Sequence, residues 1–130
     1  MIVLDASAAV EWAIRSPAGE RVDRRLMKMS GARHAPHLID LETASALRRL
    51  VAAGLVSAER AEEALIDFTD LALVRHSHEL FLPRIWELRT ILTPYDASYV
   101  ALAESLEVPI VTCDRRLAAT KGHHARVEVI

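Results

Sequence analysis

Four acidic residues stand where a small α/β chain would place its chemistry: Asp5, Glu42, Asp96 and Asp114. Asp5 closes the apolar run Met1-Ile2-Val3-Leu4, and Asp114 closes the run that contains Val108, Ile110 and Val111. Both are therefore expected at the end of a buried strand, where an ionised carboxylate is costly unless it is paired or faces solvent. Asp96 follows Thr93-Pro94-Tyr95, which reads as a helix start with Thr93 as N-cap and Pro94 at the first helical position. Glu42 falls in the first turns of a helix expected from Leu38. In a parallel sheet every strand points its C-terminal end at one edge, and ligands collect there. Four carboxylates at that edge would repel and raise one another's pKa values unless a cation relieved them. All-oxygen ligands select a hard ion, Mg²⁺ or Mn²⁺, and the chemistry such an ion supports is phosphodiester hydrolysis.

Each acid also has a purely structural reading. Asp5 and Asp114 can cap the helices that follow them, Asp96 can complete a capping box with Thr93, and Glu42 can favour a positive helix N-terminus. Four acids aimed at one edge are a larger coincidence than any single cap.

The elements that must position these acids alternate along the chain. Met1 to Leu4 reads as a strand, and Ala6 to Ile14 as a helix that closes at Ser16-Pro17. A second helix is expected over 18–29, with Val22, Leu26 and Met29 on its apolar face and Arg21, Arg24, Arg25 and Lys28 on a solvated one. His34-Ala35-Pro36 is a weak strand. Leu38 to Ala53 is a helix with the stripe Leu41, Ala44, Leu47 and Val51, closed by Gly54. Ser57 N-caps the next helix, which continues to about Leu71, and Leu73-Val74 is a third strand. A helix that Pro83 must begin or kink ends near Leu92, with Leu82, Ile85, Trp86, Leu88 and Leu92 as core residues. After the helix at Pro94 and the strand to Val111, a last strand covers Arg126 to Ile130. Short strands alternating with helices imply an α/β fold, a mostly parallel sheet of four to five short strands with helices on both faces.

At 130 residues, with 52% hydrophobic and 26% charged residues, the chain reads as one globular domain spanning 1–130. No apolar run approaches the ~18 residues of a membrane span, and the first residues lack the basic region of a signal peptide. The lone Cys113 leaves no internal disulfide, which fits a reducing cytoplasm. A net charge of −2 gives no global electrostatic case for nucleic acid. The basic residues are nearly all arginine, which suits bidentate phosphate contact but equally follows from a compositional bias.

The segments that carry the acids resemble those of a known family. They are Val3-Leu4-Asp5-Ala6-Ser7-Ala8, Leu41-Glu42-Thr43-Ala44-Ser45-Ala46-Leu47, Tyr95-Asp96-Ala97-Ser98-Tyr99-Val100-Ala101-Leu102-Ala103, and Thr112-Cys113-Asp114-Arg115-Arg116-Leu117-Ala118. Together they look like PIN-domain ribonucleases, and among these the VapC toxins of bacterial toxin–antitoxin pairs. The resemblance covers nearly the whole chain. It implies that Asp5, Glu42, Asp96 and Asp114 hold one or two Mg²⁺ or Mn²⁺ ions and cleave single-stranded RNA, often tRNA or ribosomal RNA. Ser7 and Thr112 match hydroxyls that support the carboxylates by hydrogen bonding. Some relatives carry a further acid shortly after the fourth. Here those positions are Arg115, Arg116 and Leu117, which puts a stable second metal in doubt. A small antitoxin that blocks the cleft and a homodimer are further implications of the resemblance.

Arg48, Arg49, Arg115 and Arg116 flank the acids and are the candidates for RNA phosphate contacts. His76-Ser77-His78 and His123-His124 lack a convincing zinc spacing. Cys113 reads as a small core residue, and Trp12, Trp86, Tyr95 and Tyr99 as core or dimer contacts rather than base-stacking platforms. Two rival readings remain. A phosphoacceptor signalling domain would want an acidic neighbour at Asp5 and a lysine after a late strand, and neither is present. A catalytically silent PIN-like RNA- or protein-binding module would keep the same acids without turnover.

Overall fold

The computed structural model describes residues 1–130. Five strands form one sheet: β1 (Ile2–Leu4), β2 (Arg33–Pro36), β3 (Leu73–His76), β4 (Ile110–Thr112) and β5 (Val127–Val129). Their order is β3-β2-β1-β4-β5 and every pairing is parallel. The chain moves outward from β1 to β3, then returns across β1 to place β4 and β5 on its other side. The order therefore reverses between β1 and β4, which is the crevice where open parallel sheets bind ligands. β1 and β4 are wholly buried, as their apolar runs require.

The helices fall into two packed groups. α1 (Ala6–Ile14), α2 (Pro17–Met27), α3 (Leu38–Ala52) and α4 (Ala58–Asp70) pack on one another. α5 (Leu82–Glu87) packs on α6 (Pro94–Leu106), which crosses β1, β2 and β4; the short α7 (Arg115–Ala119) contacts β5. Right-handed crossovers on either side of the strand-order reversal carry the two groups to opposite faces. Gly19 lets α2 close on α1: a Cβ there would lie 1.9 Å from the Glu11 carbonyl oxygen.

Local signals set most helix ends. Ser16, Ser57 and Thr93 accept from the backbone N–H three residues on, and Pro17 and Pro94 open their helices. Gly54 adopts φ +70° just past α3. Three expectations need correction. The second helix begins at Pro17 and ends at Met27 rather than spanning 18–29, because Ser16 is its cap. On α3 the buried residues are Ile39, Thr43 and Leu47, whereas Leu41 and Ala44 are exposed. The segment before Leu92 is not one helix but a 3₁₀ turn, α5 and a second 3₁₀ turn, with Pro83 in the first turn of α5. Each change of pitch resets the phase, so Ile85, Leu88 and Leu92 are buried while Leu82 and Trp86 face solvent.

Candidate active site

Asp5, Glu42, Asp96 and Asp114 line one cleft of about 850 Å³ at the C-terminal edge of the sheet. Asp5 leaves β1 and Asp114 follows β4, on either side of the order reversal. Glu42 comes from the second turn of α3, and Asp96 from the first turn of α6. A hollow of about 810 Å³ elsewhere is lined by Trp12, Arg15, Asp23, Asp67 and others, and holds none of these acids.

The two strand-end aspartates do cap their helices. Asp5 accepts from Ser7 N–H at 3.2 Å, and Asp114 accepts from Arg116 N–H at 2.8 Å. For Asp5 the cap is part of a wider network. Oδ2 also accepts from the Ser7 hydroxyl and, at 2.8 Å, from the Thr112 hydroxyl. Thr112 Oγ1 and Ser7 Oγ lie 3.0 Å apart. Ser7 Oγ accepts from Cys113 N–H at 2.9 Å, and Thr112 Oγ1 accepts from Asp114 N–H at 2.9 Å. Two hydroxyls thus lock β1 to β4 and aim Asp5, the supporting part expected of Ser7 and Thr112. All of these bonds fall on Oδ2, so Oδ1 remains free.

Glu42 has a partner expected only as a core or dimer contact. The Tyr99 hydroxyl, on fully buried Tyr99, donates to Glu42 Oε2 at 2.6 Å. Burial and the adjacent carboxylate push the phenol pKa far up, so the group is a permanent donor. Tyr99 lies three residues after Asp96, one turn along α6, and that spacing is the signal that could have found it.

The electrostatics divide the acids. Burial raises the Glu42 pKa, Asp5 and Asp96 raise it further, and the Tyr99 hydroxyl pulls against them. Burial likewise raises that of Asp96, followed by Asp5 and Asp114, with the Thr93 hydroxyl and Arg116 opposing. Asp114 goes the other way, lowered chiefly by the Arg116 side chain, which spans both its oxygens at 3.3 and 3.1 Å. No three His, Cys, Asp or Glu side chains close into a preformed metal cage. Glu42 and Asp96 are both held above the usual carboxylate range, first by burial and then by repulsion from neighbouring carboxylates. A donor set of carboxylate oxygens with that repulsion and a free Asp5 Oδ1 fits a hard divalent cation.

The four arginines separate. Arg49 lies two turns after Glu42 on the same face of α3 and lines the cleft, as does Arg116. Arg48, rotated by ~100° about the helix, instead lines the α3–α4 groove with Leu47, Val51 and Leu65. Arg115 is exposed and lines neither hollow. Of the histidines, His76 is 2.9 Å from His34 across the sheet, ring nitrogen to ring nitrogen, and no zinc group forms. Cys113 is half-buried and burial pushes its thiol up, as expected of a packing residue.

A parallel sheet of order 3-2-1-4-5 with acids gathered at its reversal places the chain among open parallel α/β folds with a site at the switch point. Residues 2–122 match the PIN domain, so the chain belongs to the PIN-domain family. Within it the chain is a VapC-type ribonuclease. It is 43% identical to Ribonuclease VapC12 of Mycobacterium tuberculosis over 130 residues, covering 100% of this chain and 99% of that one. It is 41% identical to Ribonuclease VapC1 of the same organism, covering 98% and 96%. Among solved structures, PAE2754 from Pyrobaculum aerophilum superposes with a TM-score of 0.67 at 28% identity, covering 95% and 87%. Mycobacterium tuberculosis VapC20, described as a sarcin-ricin loop cleaving toxin, shares the fold with a TM-score of 0.68 at 15% identity, covering 92% and 94%.

Proposed function

We propose that this chain is a Mg²⁺- or Mn²⁺-dependent endoribonuclease that hydrolyses phosphodiester bonds of single-stranded tRNA or ribosomal RNA. We propose further that it is the toxin of a toxin–antitoxin pair. The observation that carries the reading is the convergence of Asp5, Glu42, Asp96 and Asp114 on one cleft at the strand-order reversal. Asp5, Glu42, Asp96 and Asp114 are the residues that would hold the ion. When bound, the ion supplies the Lewis acidity that phosphodiester hydrolysis needs. The rest falls to the chain. Ser7 and Thr112 hold Asp5 in place, and Tyr99 holds Glu42. Arg49 and Arg116 stand in the same cleft, where their guanidinium groups would orient the RNA phosphates.

A cognate antitoxin that covers this cleft and a homodimer belong to the same proposal. For the dimer, support comes from Leu80, Leu82 and Trp86, large apolar side chains left exposed within one short segment. A cytoplasmic location suits a chain whose only cysteine is Cys113 and whose substrate is cellular RNA.

The test is cleavage of single-stranded RNA by the purified, antitoxin-free chain. Cutting is expected with Mg²⁺ or Mn²⁺, and Asp5→Asn or Asp96→Asn is expected to abolish it. Full activity in excess EDTA would refute the metal-dependent reading. RNA binding with no turnover under any divalent ion would leave only a silent binding module.

A further inference from the structure

Besides its acids, the cleft exposes large apolar side chains that ionic chemistry does not use. Tyr95 is not a core residue: it is 60% exposed, as Leu41 is 73% exposed, and both line the same hollow as the four carboxylates. Each immediately precedes one of those acids, Tyr95 before Asp96 and Leu41 before Glu42. Singly exposed apolar side chains are ordinary, and what sets these two apart is that both line the hollow that holds the acids and the arginines.

We propose that Tyr95 and Leu41 form a nucleobase subsite for single-stranded RNA, next to the acids that serve the phosphate. The proposal rests on the ribonuclease reading above and names the part of the substrate that this wall takes. A nucleotide needs both kinds of surface side by side, polar and cationic for the phosphate, flat and apolar for the base. The cleft offers Arg49 and Arg116 for the first and the phenol ring for the second.

The local structure suits a stacking platform. Tyr95 sits in the first turn of α6, where Thr93 Oγ1 accepts from Asp96 N–H at 3.2 Å and the Ser98 hydroxyl donates to the Tyr95 carbonyl at 2.6 Å. Pro94 fixes the preceding backbone. The ring therefore stands on a pinned helix start, and only two χ angles remain to be ordered on binding. One turn further along, Tyr99 points into the core, so the two tyrosines of this helix have opposite tasks. The other highly exposed aromatic, Trp86, lies outside the cleft with the Arg89 guanidinium 4.9 Å from its ring centroid. Stacking on Tyr95 needs an unpaired base, which favours single strands over duplexes, and it tolerates any base because every base has a π-face.

The test is fluorescence anisotropy of a labelled short oligoadenylate on the full chain, with Ca²⁺ replacing Mg²⁺ to suppress turnover and salt held constant. Tyr95→Ala is expected to weaken binding roughly five- to 150-fold, while Tyr95→Phe and Tyr95→Trp stay within about twofold of wild type. An oligonucleotide with an abasic site at the bound position is expected to bind wild type as weakly as the intact strand binds Tyr95→Ala, and the two losses are not additive. Thermal melting checks that Tyr95→Ala remains folded. Unchanged RNA affinity in Tyr95→Ala, or equal binding of the abasic strand, overturns the assignment and leaves this wall to a protein partner. A chain that shows the stacking signature but cuts no RNA with Mg²⁺ or Mn²⁺ keeps the subsite and loses the nuclease reading, so the two failures are distinguishable.

Discussion

Replacing Tyr99 by Phe removes one oxygen from the molecule and tests how the acids are aimed. The ring is fully buried and a phenylalanine fills the same space, so packing is conserved. What is lost is the 2.6 Å donation to Glu42 Oε2. A hydrogen bond to a charged group is worth about 1.5–3 kcal/mol. Glu42 is only partly buried, so water can replace some of that, and the lower end, about 1.5 kcal/mol, is the expected cost. For a chain of this size that lowers the melting temperature by about 5 °C. If the bond also selects the Glu42 orientation that faces the cleft, the variant binds Mn²⁺ about tenfold more weakly, the usual scale for losing a group that orients a ligand. Free Mn²⁺ measured by electron paramagnetic resonance reads the affinity directly, without relying on turnover. In Glu42→Ala, which leaves Tyr99 no side-chain acceptor at that position, the further change Tyr99→Phe is then expected to cost little Mn²⁺ affinity, because the two act as one unit. Mn²⁺ affinity within twofold of wild type, alongside the lowered melting temperature, would refute the orienting role and leave Tyr99 a core residue.

Asp96→Asn removes a charge that burial and two neighbouring acids disfavour, so its folded pKa lies above the unfolded one and ionisation opposes folding at neutral pH. The variant is expected to melt higher than wild type without metal and to lose the stabilisation by Mn²⁺, about 2.7 kcal/mol at a hundredfold excess over Kd; calorimetry with and without the ion measures both. Thr112→Val keeps the volume of a fully buried side chain but leaves Asp114 N–H without its acceptor and takes one donor from Asp5 Oδ2, and urea unfolding should show a loss of about 2–3 kcal/mol. His34 is buried against His76, and burial first, then that imidazole, hold its pKa below 6.5. The unfolded histidine takes up its proton first, so stability is intact above pH 6.5 and falls as pH drops through that value toward the folded pKa. Melting curves across this window should show the decline, and His34→Gln should flatten it.

The parts of this fold legible in the sequence are those decided by a few neighbouring residues. β1 and β4 announce themselves because an apolar run ending in an aspartate has one comfortable place, a buried strand whose tip reaches solvent. Thr93-Pro94 and Ser57 start their helices through hydrogen bonds that span three residues. Where the helical phase depends on what lies opposite, local pattern fails. The stripe of Leu41, Ala44, Leu47 and Val51 looks like the buried face of α3, but the helix turns Ile39, Thr43 and Leu47 inward and leaves Leu41 at the cleft.

The site divides in the same way. Residue type and spacing alone determine which acids are candidates and that a hard divalent ion suits them, while the supporting role of Ser7 and Thr112 is implied by the family resemblance. Tertiary structure alone decides that Tyr99 serves Glu42 across 57 residues of chain, that Arg49 faces the acids while Arg48 does not, and that Arg116 neutralises Asp114 but leaves Asp96 raised. The physical reason is range. Caps and strand ends are set within a few residues, whereas desolvation, charge repulsion and the rotation of a helix about its axis are set by elements that meet only after the sheet has closed.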